Sequence, residues 1–205
     1  MPASTSTLAV KIVALAGTCL LLTSAAAATF DGHITGWITE PGVSPPSYAV
    51  TEPIDSNVNV DTVLLLCTES GRDRFLELDL YLSTKGPLLP DGADPQALNE
   101  DPVAEISIDG KIFPAQLLFA DDHVLLSNSP SDTPPALSGP LLDAMEHGET
   151  MVVRFDLLTN APARASAFDG QIVVDLIAGR SAIAAVRRCA SPRLLYQATT
   201  KSRRL

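Results

Sequence analysis

From Arg74 to Ser83 the chain reads Arg-Phe-Leu-Glu-Leu-Asp-Leu-Tyr-Leu-Ser. Successive side chains of an extended chain point to opposite faces. Leu76, Leu78, Leu80 and Leu82 therefore share one face, and Glu77, Asp79 and Tyr81 share the other. Such alternation predicts a strand with one face against a core and the other facing water. It commits this part of the chain to a sheet and sets the frame for the remainder.

Further strands follow from the same pattern. Asp61–Thr68 holds the apolar run Val63-Leu64-Leu65-Leu66 before Cys67, which reads as a short buried strand, and residues 69–73 are turn chemistry. Residues 84–102, with Gly86, Pro87, Pro90, Gly92 and Pro95, read as a long polar loop. Val103–Ile108 and Ile112–Phe119 are the arms of a hairpin around Asp109-Gly110, a pair suited to the positive φ angles of a tight turn. Pro114 marks the second arm as an edge or bulged strand. His123–Ser127 is one more short strand, and residues 128–140 form a Ser/Pro-rich loop.

Leu141, Leu142 and Met145 have helical spacing, with Ser138 or Gly139 as cap, Pro140 in the first turn and Gly148 at the end. Met151, Val153, Phe155 and Leu157 alternate with Arg154 and Asp156 in another half-buried strand. Residues 167–177 read as a strand around Asp169-Gly170. Ser181–Arg188 reads as a short helix with Ile183 and Val186 on one face. Arg187 and Arg188, directed to solvent, suit the negative end of its dipole. Six or seven strands and two short helices predict a mainly β fold, either an antiparallel sandwich or an α+β domain. Residues 29–59, around Trp37 and Tyr48, are expected to be irregular, and residues 60–190 to form the core domain.

Residues 1–28 have the three parts of a secretory signal peptide. Lys11 is the only charge before Asp31, the run Ile12–Leu22 is apolar apart from Gly17 and Thr18, and Ala25–Ala28 offers a small-residue cut site. The run falls short of the ~20 apolar residues of a membrane span. Cleavage after Ala28 would leave a mature chain of about 177 residues, periplasmic or extracellular, with no later membrane-length segment. Its charge is lopsided. Residues 29–186 carry 7 basic and 24 acidic side chains, whereas residues 187–205 carry 6 basic ones and no acid. An acidic body argues against nucleic acid as partner, since phosphates would repel it. Residues 191–205 are expected to be a flexible basic tail that folding does not need.

Cys67 and Cys189 are the two cysteines outside the leader. In an oxidising compartment two cysteines of a small domain are expected to form a single disulfide. A metal site would want further ligands nearby, and a catalytic thiol would want a base. Other chemistry is hard to find. His33, His123 and His147 lack the neighbours of a catalytic base. His147 suits the last turn of a helix. Asp121-Asp122-His123 reads as a turn in which at most two side chains converge. Asp91, Asp94, Glu100 and Asp101 lack the spacing of a calcium loop. No cofactor, metal or catalytic residue is therefore assigned.

Four features come in order: the strand ending in Cys67, the turn at Ile108-Asp109-Gly110, the Leu-rich helix before Gly148, and the close from Phe168-Asp169-Gly170 to Ala182–Cys189. Across about residues 58–190 this order resembles the VasI/EvfG-type exported proteins associated with type VI secretion, and periplasmic relatives of the same shape. Leu66 stands where that pattern often has a basic residue. The resemblance implies a Cys67–Cys189 pairing and no catalytic residues. The resulting expectation is an exported, non-enzymatic binding or envelope-assembly accessory with a protein partner in the cell envelope. The alternatives are a periplasmic enzyme, an enzyme inhibitor, or a small-ligand carrier.

Overall fold

The structure, a computed structural model, describes residues 34–71, 73–83, 86–129, 135–159 and 168–190. Residues 1–33 and 191–205, which hold the expected signal peptide and the expected basic tail, lie outside the described residues. The alternating segment Arg74–Ser83 falls in strand β5 (Asp73–Leu82), which pairs with β4 (Val60–Ser70) in a hairpin turning at Gly71. Val63, Leu65 and Cys67 of β4 meet Leu80, Leu78 and Leu76 of β5 in register, and all six are buried. Full burial stabilises by ~1.5–3 kcal/mol per large aliphatic side chain, so this face anchors the core.

The expected hairpin forms between β6 (Leu98–Ile108) and β7 (Lys111–Phe119). Asp109 and Gly110 both take positive φ, 48° and 84°. The Asp109 carboxylate also accepts hydrogen bonds from the backbone N–H groups of Glu149 and Thr150, at 3.0 and 3.2 Å, which sets the start of β9 (Thr150–Leu158) beside the turn. β8 (His123–Ser127) and β10 (Gly170–Asp175) complete the long strands.

Three shorter strands correct the reading of residues 29–59 as irregular: β1 (Ile38–Thr39), β2 (Tyr48–Thr51) and β3 (Asp55–Ser56). Prolines and serines dominate this stretch; β1 pairs with β2 within it, and β2 and β3 find their other partners outside it, on β4 and β10. The proposed polar loop 84–102 is also more ordered than its composition suggests. Leu88 is buried in the core, and Asp94 caps a 3-10 turn (Pro95–Ala97) by accepting from Gln96 N at 2.9 Å. β6 then starts at Leu98 and crosses an irregularity before Val103.

All ten strands join one curled antiparallel sheet in the order β1-β2-β4-β5-β8-β7-β6-β9-β10-β3. β7 is the fold line. Residues 111–115 pair with β6, and residues 116–119 pair with β8. Pro114 sits in the first stretch, which among the described residues is paired on one side only, so its missing N–H is tolerated.

Helix α1 (Gly139–His147) starts at Ser138, whose hydroxyl accepts from Leu141 N, and buries Leu141, Leu142 and Met145. Helix α2 (Arg180–Ala190) buries Ala182, Ile183 and Val186 against β4 and β5, and also packs against α1. Trp37 closes the approach to α2. Its indole N–H donates to Asp175 O at 2.8 Å, and the ring covers Gly179 so closely that a Cβ there would overlap it. Cys67 and Cys189 are disulfide-bonded with Cα atoms 6.3 Å apart, so the last helix is stapled to a core strand. One expectation fails here. Arg187 does not point freely to solvent but pairs with Asp143 at 2.6 Å and Glu146 at 2.9 Å on α1. The carboxylates of the neighbouring helix outweigh full hydration of this side chain.

Candidate functional site

The second face of β5 was expected to meet water, and it does not. Glu77 is 8% exposed and Asp79 only 3%. The sheet register explains how two acids become enclosed on an outward face. Asp79 lies directly between Leu64 of β4 and Leu125 of β8. Leu64 continues to Val50 of β2 and Ile38 of β1, and Leu125 continues to Leu118 of β7. One row thus crosses six strands as Ile38, Val50, Leu64, Asp79, Leu125 and Leu118, apolar everywhere except at the acid. Ile38 and Leu118 are 36% and 39% exposed at its ends, and the intervening aliphatic residues are half-buried.

The row beside it passes through Tyr48, Leu66 and Glu77. Glu77 accepts a hydrogen bond from Thr68 Oγ1 at 3.1 Å. Asp79 fares worse, because its buried Oδ1 has no hydrogen-bond partner among the described residues. Burial, and then the charge of Glu77, push the Asp79 carboxyl up to about 6, while His123 opposes the shift. Burial raises Glu77 as well, against the Thr68 hydrogen bond. On the far side Tyr81 stacks on His123, with ring centroids 5.1 Å apart and planes at 22°. Burial raises the Tyr81 phenol, and Asp79 and Asp122 add to the shift.

Of the triplet Asp121-Asp122-His123, two side chains do converge: His123 Nδ1 lies 2.8 Å from Asp122 Oδ1. The triplet sits at the turn between β7 and β8, where Ala120 N donates to His123 O at 2.9 Å. Among the described residues no three His, Cys, Asp or Glu side chains gather as metal ligands. Cys67 and Cys189 are consumed by their bond. His147 ends α1, with Nδ1 2.8 Å from Asp143 O, and His33 lies outside the described residues.

A second feature is a surface cleft of about 370 Å³ lined by Asn57, Arg154, Phe168, Asp169, Gly170 and Gln171. Its polar groups already have structural work. Asn57 Oδ1 accepts from Gln171 N at 2.6 Å, and Asn57 Nδ2 donates to Asp169 O at 3.1 Å. The Asp169 carboxylate takes the N–H groups of Leu157 and Leu158, and Arg154 pairs with Glu105 at 3.0 Å. The Asp79 face differs in holding an unsatisfied group.

No motif in the sequence marks this face as a site. A signal was present in the run Val63-Leu64-Leu65-Leu66, which is apolar on both faces of its strand. Comparison with protein-family models, curated proteins and solved structures finds no match to this chain.

Proposed function

We propose that this chain is an exported, non-enzymatic binding protein, an accessory of envelope assembly, which holds a protein partner on the outward face of β2, β4, β5, β8 and β7. The observation that carries this reading is the aliphatic row across six strands with the unsatisfied Asp79 at its centre. An apolar surface left outside the core is the usual mark of an interaction site, and a buried polar atom without a partner calls for a functional explanation. The leader-like residues 1–28 and the disulfide favour an oxidising compartment. Among the described residues no helix is long and apolar enough to cross a membrane. The resemblance to VasI/EvfG-type proteins adds type VI secretion as the setting.

A second reading draws on the raised Asp79 carboxyl. A carboxyl near 6 beside another acid is a pattern of general acid–base sites. It is weaker, because Asp79 is not among the residues that line the cleft at Asn57 and Gln171.

Photo-crosslinking in cells decides between them. A crosslinker at Leu118 or Leu66 is expected to trap one protein partner, and a crosslinker at exposed Ile54 is expected to trap none. Equal capture from both positions would refute the reading. Intact mass of the exported protein should begin within two residues of Thr29.

A further inference from the structure

We infer that the partner presents an aliphatic surface carrying one central Lys or Arg, which inserts between Leu64 and Leu125 to pair with Asp79. This rests on the binding reading above and specifies the chemistry of its partner. Two observations support it independently of each other. The first is the row itself, which spans five inter-strand spacings, roughly 24 Å at ~4.8 Å each. That is about the length of a 16-residue helix. Leu64, Leu66, Val50 and Leu125 are half-buried and are not packed into the core cluster, so their apolar surface is still open to cover.

The second is charge. Glu77 and Asp79 stand side by side on β5, and among the described residues no Lys or Arg pairs with either. A buried carboxylate without a partner is unfavourable, and a fully desolvated cation is the group that compensates it. Charge also selects against other occupants. A second copy docked through the same face with its two-fold axis at the centre of the row would set Asp79 against Asp79. Anionic lipid or nucleic acid would meet a body with 24 acids against 7 bases over residues 29–186.

The groups facing Asp79 define the pH response. Glu77 and Tyr81 flank it on β5, His123 faces it from β8 with Asp122 behind, and β4 contributes Thr62, Leu64, Leu66 and Thr68. Acidification neutralises Asp79 and Glu77. Both changes disfavour a bound cation, so affinity should fall as pH drops from 7 to 5.

The test is selection of phage-displayed random 16-residue peptides on the oxidised mature chain, followed by titration of synthetic versions. Enriched peptides should carry one Lys or Arg among aliphatic residues and shift the amide resonances around Leu64 and Leu125. They should lose at least tenfold in affinity on Asp79→Asn, whose fold is checked by near-UV circular dichroism, and again at pH 5. Peptides that map to this face but lack a basic residue, or that bind Asp79→Asn equally well, would overturn the cation while leaving the face as a binding site. Peptides that map nowhere on the face would overturn both. A chain ending at Ala190 should bind as the full chain does. If it binds more than tenfold tighter, and a peptide of residues 191–205 competes, the occupant is the chain's own tail and the inference fails.

Discussion

Strands β5 and β9 look alike on paper and behave in opposite ways. Each alternates buried apolar residues with charged ones, Glu77 and Asp79 in the first, Arg154 and Asp156 in the second. On β9, Arg154 reaches Glu105 of the neighbouring β6, and the pair stays partly in water. On β5 the neighbours in register are Leu64, Leu66 and Leu125, so two acids are enclosed by aliphatic side chains with no cation among them. Alternation within one strand reports which residues share a face. Whether that face is wet depends on the strands to either side.

The largest expected effect breaks the half of the sheet that contains β5. Cys67→Ser, Cys189→Ser and the double change should each destabilise the fold by ~2–5 kcal/mol, since each removes the same bond. Hydrogen exchange should speed up first in β4 and β5 and least in β9 and β10. Uniform acceleration across both regions would mean that they share a single stability.

Next comes the Asp79 carboxyl, which sharpens the contrast. It is raised from 3.8 to about 6 in the folded chain, so between those values the folded state holds a proton that the unfolded state has released. Stability should therefore decline as pH rises from about 4 to about 7, by roughly 2–3 kcal/mol at about 1.4 kcal/mol per pKa unit. Glu77 acts in the same direction. Asp79→Asn should flatten that slope in urea melts at several pH values. Asp79→Leu should stabilise the chain at pH 7 by ~1–3 kcal/mol while abolishing cation-dependent binding. A slope unchanged by Asp79→Asn would show that Asp79 is hydrated after all.

The smallest effect falls on β9. Arg154→Ala should change stability by less than ~1 kcal/mol, because a half-exposed ion pair gains little over hydration. Its effect should fade in 1 M salt, whereas that of Asp79 should persist.

Much of the fold was legible because its signals are local. The alternation of β5 and β9, the Asp109-Gly110 turn and the Ser138 cap each depend on a few adjacent residues. The Cys67–Cys189 pairing was legible for a different reason, the arithmetic of two cysteines outside residues 1–28. The strands β1, β2 and β3 were missed because short segments such as Ile38–Thr39 are defined only by what they pair with. The candidate site was illegible for the same reason. Asp79 looks like any solvent-facing strand acid until Leu64 and Leu125 are placed on either side of it, and those residues are 15 and 46 positions away in sequence. Arg187 was misread likewise, because its partners Asp143 and Glu146 belong to another helix.

The path of the sheet also bears on how the chain avoids sticking to itself. A single continuous sheet has two outermost strands, and here each is two residues long, Ile38–Thr39 and Asp55–Ser56. The one-sided stretch of β7 carries Pro114, which has no N–H to offer an incoming strand. Strand addition, the route by which β proteins join into fibres, thus finds short or interrupted templates at all three places. A molecule built this way can leave aliphatic surface uncovered on an outward face while these three margins resist growth into a longer sheet.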